Sequence, residues 1–328
     1  MKLHPIWNEF PSLEPELTAT MHLMKQSIHL KNKPVEQALL EMIQAGGKLL
    51  RPAYQLLFSE FGPEKDSKKA QALAAAIEML HTATLIHDDI VDQADVRRNL
   101  TTIAHRFGND VAVYAGDYLF ICCFKIMANY ATSMKSLQLN SQSMEKILTG
   151  ELGQMDYRYD TTLSIDQYLE NISGKTAELF ALSCSIGAFE SGSSEKFAQK
   201  AAKIGLEIGL AFQILDDILD YSQPTTQIGK PVLKDVRQGV YSLPLLYALK
   251  KAPQELLPLL GKKTEMTDDD CQNVYQLVQL HGGVEQAQKL ATTYTEKALA
   301  KITKLPETPT NTKENLARLT AMILQRTN

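Results

Sequence analysis

Residues 67–94 read SKKAQALAAAIEMLHTATLIHDDIVDQA. Strong helix formers fill most of the stretch, and neither proline nor glycine interrupts it. Ser67 is a candidate N-cap. Apolar positions recur at spacings of three and four and cover a broad face, the pattern of a helix buried among other helices. The same signs recur over 109–135, 141–158, 164–190 and 194–221, each beginning near Asn, Asp or Ser. Alternating β-branched runs are scarce. Loop-like stretches are short: Phe61–Glu64, Gln223–Gly239 and Leu305–Thr312. The expectation is an all-α chain, a single domain over residues 1–328 built as a bundle of more than ten helices.

Composition agrees and removes several classes of function. Of 328 residues, 44% are hydrophobic and 22% charged, the balance of a globular protein that buries a core; disorder and collagen are excluded. Lys plus Arg is 34 and Asp plus Glu is 38, a net charge of −4, which speaks against nucleic acid as a partner. The longest uninterrupted apolar run, Tyr118–Phe124, is far short of the roughly 20 residues that span a bilayer. The start, Met1-Lys2-Leu3-His4-Pro5, has no apolar h-region. Cys122, Cys123, Cys184 and Cys271 form no C-x-x-C pair and read as reduced, buried small hydrophobes, which points to a reducing, cytoplasmic compartment.

The long helix ends in Asp88-Asp89-Ile-Val-Asp92, and the pattern D-D-x-x-D returns as Asp216-Asp217-Ile-Leu-Asp220 at the end of another apolar helix. Positions i and i+4 share a helix face, so Asp88 and Asp92 point one way, and so do Asp216 and Asp220. Like charges at the negative end of a helix dipole repel, and two such clusters call for a compensating cation. Oxygen-only ligands suit Mg²⁺, which keeps several waters and takes substrate phosphate oxygens. A solvated acidic helix end explains one cluster easily and two copies poorly. Asp268-Asp269-Asp270 differs: it follows Thr267 at a helix start, where acids favour the dipole, and carries no chemistry.

Cations accompany the clusters. Arg97 and Arg98 follow the first; Lys175 precedes the second and Lys230 follows it. Gly174-Lys175 stands before the second cluster much as Gly47-Lys48 stands before the first, a faint echo of two similar halves. In Gly46-Gly47-Lys48-Leu-Leu-Arg51-Pro52 the glycines allow close backbone approach, and Lys48 and Arg51, three apart, would share a helix face. His81 lies two helical turns before Asp88. Singly each reads as a surface charge; together they outline two anion sites, one with metal and one without.

These residues resemble the trans-prenyltransferases, the polyprenyl or isoprenyl diphosphate synthases, over roughly residues 40–285, with C-terminal helices over 286–328. GGKLLRP (46–52), LIHDDIVDQADVRR (85–98), AGDYL (115–119), GELGQ (150–154), GKTAELF (174–180), GLAFQILDDILDY (209–221) and GKPVLKDVRQGVYSLP (229–244) follow in the family's order. The resemblance implies an isoprenoid synthase bundle around a central cavity, usually a homodimer. It implies head-to-tail condensation of an allylic diphosphate with isopentenyl diphosphate, with several Mg²⁺ ions per site. Carried over, Asp88, Asp92 and Asp216 would ligate Mg²⁺, supported by Asp89, Asp217 and Asp220. Arg97, Lys175 and Lys230 would hold the allylic diphosphate beside Gln213. Lys48, Arg51, His81 and Arg98 would hold isopentenyl diphosphate, and Thr176 would lie near the reacting carbons. Asn99, Thr101 and Val240 depart from the family pattern, where Gly, Pro and Lys are common; none of these removes a metal ligand.

Family members that stop at farnesyl commonly carry aromatics four or five residues before the first motif; here stand Thr84 and Ala83. At about 1.5 Å per residue, Ala83 lies roughly 7 Å from Asp88, and Leu80 and Ile77 roughly 12 and 16 Å, where either forms a floor. Phe120, Cys123, Phe124 and Met127 are expected on the opposite wall. The expected product is longer than farnesyl, hexaprenyl to octaprenyl, of quinone side-chain type, with transient membrane contact at its release. The alternatives are a geranylgeranyl diphosphate synthase and the catalytic subunit of a heteromeric two-component synthase. Three other readings fit less well. An HD-type phosphohydrolase wants more histidines than His81 and His87. A terpene cyclase replaces the second motif, and a regulatory subunit loses the aspartates.

Overall fold

The computed structural model describes residues 3–221 and 233–324. Its described residues form sixteen α-helices and one short hairpin: α1 (Glu14–Gln26), α2 (Lys33–Ala45), α3 (Leu50–Ser59), α4 (Ser67–Val91), β1 (Val96–Arg97), β2 (Leu100–Thr101), α5 (Ile103–Phe107), α6 (Asn109–Tyr130), α7 (Met134–Asp156), α8 (Ile165–Ile172), α9 (Glu178–Glu190), α10 (Glu195–Leu219), α11 (Lys234–Arg237), α12 (Leu243–Lys251), α13 (Pro253–Leu260), α14 (Asp268–Leu280), α15 (Gly283–Ile302) and α16 (Thr312–Leu324). The all-α expectation holds. Contacts group the chain into two compact units, one of residues 1–141, 181–203 and 306–316, the other of 142–180, 204–305 and 317–328.

In the first unit α4 is the central helix, packed against α1, α3 and above all α6. Ala72, Leu73, Ala74, Ala75 and Ala76 are fully buried, which small side chains permit where neighbouring helices come close. The helix begins where expected, but its cap is Asp66, whose carboxylate accepts from the Lys69 amide, not Ser67. It ends at Val91, three residues short of the expected end, because Gln93 takes a left-handed φ of 49°. The hairpin then turns on Arg98 and Asn99, with φ of 53° and 63°. Two left-handed central residues make the tight hairpin turn that asparagine or glycine tolerates best, so Asn99 in place of the family's glycine keeps the turn.

α6 stops at Tyr130, five residues early, and α7 starts at Met134 instead of 141. The break is held from α9: the 3% exposed Glu190 accepts from the Thr132 amide (3.0 Å), the Thr132 hydroxyl (2.9 Å) and the Ser136 hydroxyl, with Lys69 at 3.6 Å. By length and composition α6 could cross a bilayer, contrary to the reading of uninterrupted runs alone; 44% of its apolar window is buried, and it packs against α4.

In the second unit, α12 packs against α14 and α15, and its Leu243, Leu245 and Ala248 are fully buried. Ser164 and Gln167 form a capping box at the start of α8, and Thr267 and Asp270 another at α14, so the 268–270 acids serve the helix start as expected. The stretch expected as one helix over 164–190 carries a π-helical turn, Ser173–Ala177, between α8 and α9. Gly174 makes it fit: a Cβ there would lie 2.8 Å from the Lys146 carbonyl and 3.1 Å from the Gly150 Cα. All four cysteines are free and buried, as expected.

Candidate active site

The first aspartate cluster is the last turn of α4. Asp88 and Asp92 are half-buried one turn apart, and the Asp92 amide closes the helix on the Asp88 carbonyl at 2.8 Å. Asp89 is only 3% exposed and accepts from Arg97 Nε at 2.5 Å. Burial raises its carboxyl above the usual range and Arg97 opposes that rise. Asp89 and Arg97 are thus an internal pair that ties the hairpin to the helix end.

Two turns before Asp88 on α4, His81 meets α3. Arg51 Nη1 lies 3.2 Å from His81 Nε2. Burial, then Arg51, Arg98 and Arg97, hold the imidazole well below its ordinary value, so it is neutral. Nε2 accepts from Arg51, which leaves the proton on Nδ1. Burial also pushes the Arg51 guanidinium down to about 10, opposed by Glu78 and reinforced by Arg98. Glu78, 5% exposed on α4, is the counter-charge to both arginines, and burial raises its own carboxyl. Arg98 reaches this group from the hairpin across Gly47: a Cβ on Gly47 would stand 2.6 Å from Arg98 Nη2. Lys48 lies in the loop before the left-handed Leu49 that caps α3, so the shared-helix-face argument for Lys48 and Arg51 fails. The product of this packing is two arginines beside a glycine backbone, with a neutral histidine and a buried glutamate behind them. Guanidinium groups so placed suit an anion held without metal.

Ala83, Leu80 and Ile77 are at most 1% exposed, while Thr84 is half-buried and donates to the His81 carbonyl at 2.8 Å. On α6, Cys123 and Met127 are buried and Phe120 packs against His87 at 5.4 Å. Phe124, expected on the same wall, is 36% exposed and belongs to the outer face. His87 is turned to the Val113 carbonyl (3.2 Å), in room left by Gly116.

The second cluster ends α10. Asp216 and Asp220 are exposed, while Asp217 is half-buried. Tyr168 Oη donates to Asp217 Oδ2 at 2.6 Å, and Gln213 Nε2 donates to Oδ1 at 2.8 Å. Burial pushes the Asp217 carboxyl up to about 7 against these two donors, with Asp216 and Asp220 adding to the rise. Gln213 Oε1 in turn accepts from the Thr176 hydroxyl at 2.7 Å. Lys175, in the π turn, donates to Glu151 Oε2 (3.0 Å) and Gln154 Oε1 (2.9 Å), which gives the GELGQ segment a role the sequence left open. Tyr168, Lys175, Gln213, Asp217, Asp220, Asp235 and Val240 line one cavity. Burial and Asp235 raise Asp216. Tyr168, Asp235 and Glu78 were not foreseen: a tyrosine on an apolar face and a glutamate in a helix look like core and helix former. Lys230 lies outside the described residues.

The donor set suits a hard ion. Exposed or half-buried carboxylates at two helix ends offer oxygen alone, and among the described residues no three His, Cys, Asp or Glu side chains converge into a preformed cage. Mg²⁺, which draws most of its ligands from water and phosphate, fits such a set better than zinc, which favours nitrogen and sulfur.

A model of the polyprenyl synthetase family matches residues 32–278. Heptaprenyl diphosphate synthase component 2 of Bacillus subtilis (strain 168) is 34% identical over 86% of this chain and 80% of its own length. Nonaprenyl diphosphate synthase of Mycobacterium tuberculosis is 30% identical over 88% and 86%. The crystal structure of a geranylgeranyl pyrophosphate synthase from Lactobacillus brevis superposes with a TM-score of 0.94 at 43% identity, covering 98% of this chain and 99% of that one.

Proposed function

Because the chain belongs to the polyprenyl synthetase family, we propose that it condenses isopentenyl diphosphate head-to-tail with an allylic diphosphate. The product is an all-trans polyprenyl diphosphate longer than farnesyl, hexaprenyl to octaprenyl, for a quinone side chain. One observation supports this reading: a chain with two aspartate-rich helix ends also gathers a separate pair of arginines, Arg51 and Arg98, beside Gly47, His81 and Glu78. One diphosphate that leaves and one that stays require these two different sites.

Asp88 and Asp92 at one helix end, and Asp216 and Asp220 at the other, would hold Mg²⁺, with Asp89 and Asp217 in support. When bound, Mg²⁺ neutralises the charge that grows on the leaving diphosphate. Arg97, Lys175 and Lys230 bind that diphosphate. Arg51 and Arg98 bind the diphosphate of isopentenyl diphosphate, with His81 orienting Arg51, and so hold its double bond against the allylic cation. Loss of a proton to the released diphosphate completes the bond. Leu80 and Ile77, deep on α4, set the product length. The outer face of α6, where Tyr114 is 75% and Ile121 55% exposed, supports pairing with a second copy of the chain. Free, buried cysteines support a reducing, cytoplasmic setting, and the long product supports brief membrane contact at release.

Two other readings have their own support. The Bacillus subtilis relative is named as a component, which favours a two-component synthase; the Lactobacillus brevis structure is named for geranylgeranyl, which favours a shorter product. Purified chain with Mg²⁺, farnesyl diphosphate and radiolabelled isopentenyl diphosphate separates them. A single prenyl alcohol beyond geranylgeranyl is the expected result. A product ending at geranylgeranyl refutes the long-chain reading, and inactivity rescued by a second protein establishes the two-component one.

A further inference from the structure

We propose that Tyr168 is a positioning residue for this condensation: through Asp217 and Gln213 it fixes the direction of the Thr176 hydroxyl. The inference rests on the function proposed above. Tyr168 is 5% exposed on α8, and its hydroxyl donates to Asp217 Oδ2 at 2.6 Å. Asp217 accepts at both of its oxygens, so both of its neighbours donate to it. With Oδ2 taken by the phenol, Oδ1 faces the amide of Gln213, one helical turn back on α10, at 2.8 Å. That orients the amide with nitrogen toward Asp217 and oxygen toward Thr176, whose hydroxyl donates to it at 2.7 Å.

The outcome is a one-way chain. The Thr176 proton is committed to Gln213, so the oxygen presents lone pairs on its other side. A site that shelters a developing cation needs an oxygen offered this way; a hydroxyl turned round would present its proton and destabilise the same charge. Thr176 sits in the π turn next to Lys175, and Lys175, Gln213, Asp217 and Tyr168 line one cavity. Asp217 is therefore assigned to this chain of hydrogen bonds, with Mg²⁺ left to its exposed neighbours. Removing the phenol hydroxyl frees Oδ2 to compete for the Gln213 amide and loosens the orientation at Thr176.

The test measures kcat, KM for both substrates and the Mg²⁺ half-saturation for wild type, Tyr168→Phe, Thr176→Val and the double variant. Tyr168→Phe is expected to lower kcat about tenfold, the orienting effect of one buried hydrogen bond. Both KM values and the Mg²⁺ half-saturation stay within about twofold, and the double variant is no slower than Thr176→Val alone. Unchanged kcat, multiplying losses, or an effect confined to KM or Mg²⁺ overturns the proposal. Should Tyr168→Phe not fold, Asp217→Asn serves: the new amide accepts from Tyr168 and donates to Gln213, reversing it. A fall in kcat at constant Mg²⁺ half-saturation is then expected, and a raised Mg²⁺ requirement at unchanged kcat overturns the proposal. A wild type with no condensation activity, alone or with a second protein, refutes the proposed function itself; an active wild type with an indifferent Tyr168→Phe refutes only the relay.

Discussion

Gly47→Ala separates stability from function in this protein. The added Cβ would stand 2.6 Å from Arg98 Nη2, 3.0 Å from Cζ and 3.2 Å from Nη1. Ordinary contact begins at 3.4 Å, so the guanidinium must retreat by close to an ångström. It is the tip of a flexible side chain on an exposed hairpin, and it can retreat without moving the backbone. Gly47 has no left-handed φ to forbid alanine. Alanine also removes freedom from the unfolded chain, worth about 0.4–1 kcal/mol in favour of folding. Stability should therefore hold or rise slightly. The anion site should not: a displaced charged hydrogen bond costs about 1.5–3 kcal/mol, which is roughly 10- to 100-fold in kcat/KM for isopentenyl diphosphate. The KM of the allylic substrate should stay put, because Arg97 and Lys175 are untouched. Thermal unfolding and steady-state kinetics with each substrate varied in turn give the answer. A melting temperature lowered by several degrees, or equal losses for both substrates, would refute the assignment of Arg98 to a separate anion site.

Gly174→Ala should behave in the opposite way. Its Cβ meets backbone, 2.8 Å from the Lys146 carbonyl and 3.1 Å from the Gly150 Cα, so overpacking should cost about 1–3 kcal/mol in a denaturant titration. Asp217 supplies a pH signature. Its folded value of about 7 lies above its unfolded value of 3.8, so its contribution to stability is complete below about pH 4 and is lost as pH rises to 7. The melting temperature of wild type relative to Asp217→Asn should fall across that window; a flat difference would exclude a carboxyl raised by burial. Leu80→Ala should lengthen the product by about one isoprene unit as well as cost about 2–5 kcal/mol of stability. Lost stability with an unchanged product, sized by chromatography of the alcohols, would make Leu80 plain core.

The large features were legible because they are local. Helix-forming composition, apolar periodicity and acids four apart at a helix end are all written within one segment, and α4, α10 and the α14 capping box follow from them. What was missed depends on other segments. Nothing between residues 131 and 136 announces a helix break; its acceptor, Glu190, comes from α9. A π turn leaves no trace in a 3.6-residue periodicity, and its cause is the close meeting of Gly174 with Gly150. Lys48 was placed by helix spacing, yet the left-handed Leu49 starts the helix after it. Glu78 looked like a helix former until Arg51 and Arg98 gave it partners. Chemistry was readable where a residue type repeats in a pattern, and hidden where one buried side chain acts through another.

The Glu190 junction has a consequence for how the first unit opens. The Thr132 amide is held by an acceptor 58 residues away in the chain, on a different helix. Hydrogen exchange at that amide therefore requires α9 to separate from the α6–α7 corner; fraying of the corner alone leaves the carboxylate in place. Its exchange rate should match that of amides in the middle of α9 and change with them in every variant. A loop residue that looks peripheral in sequence would then report the cooperative opening of three helices at once.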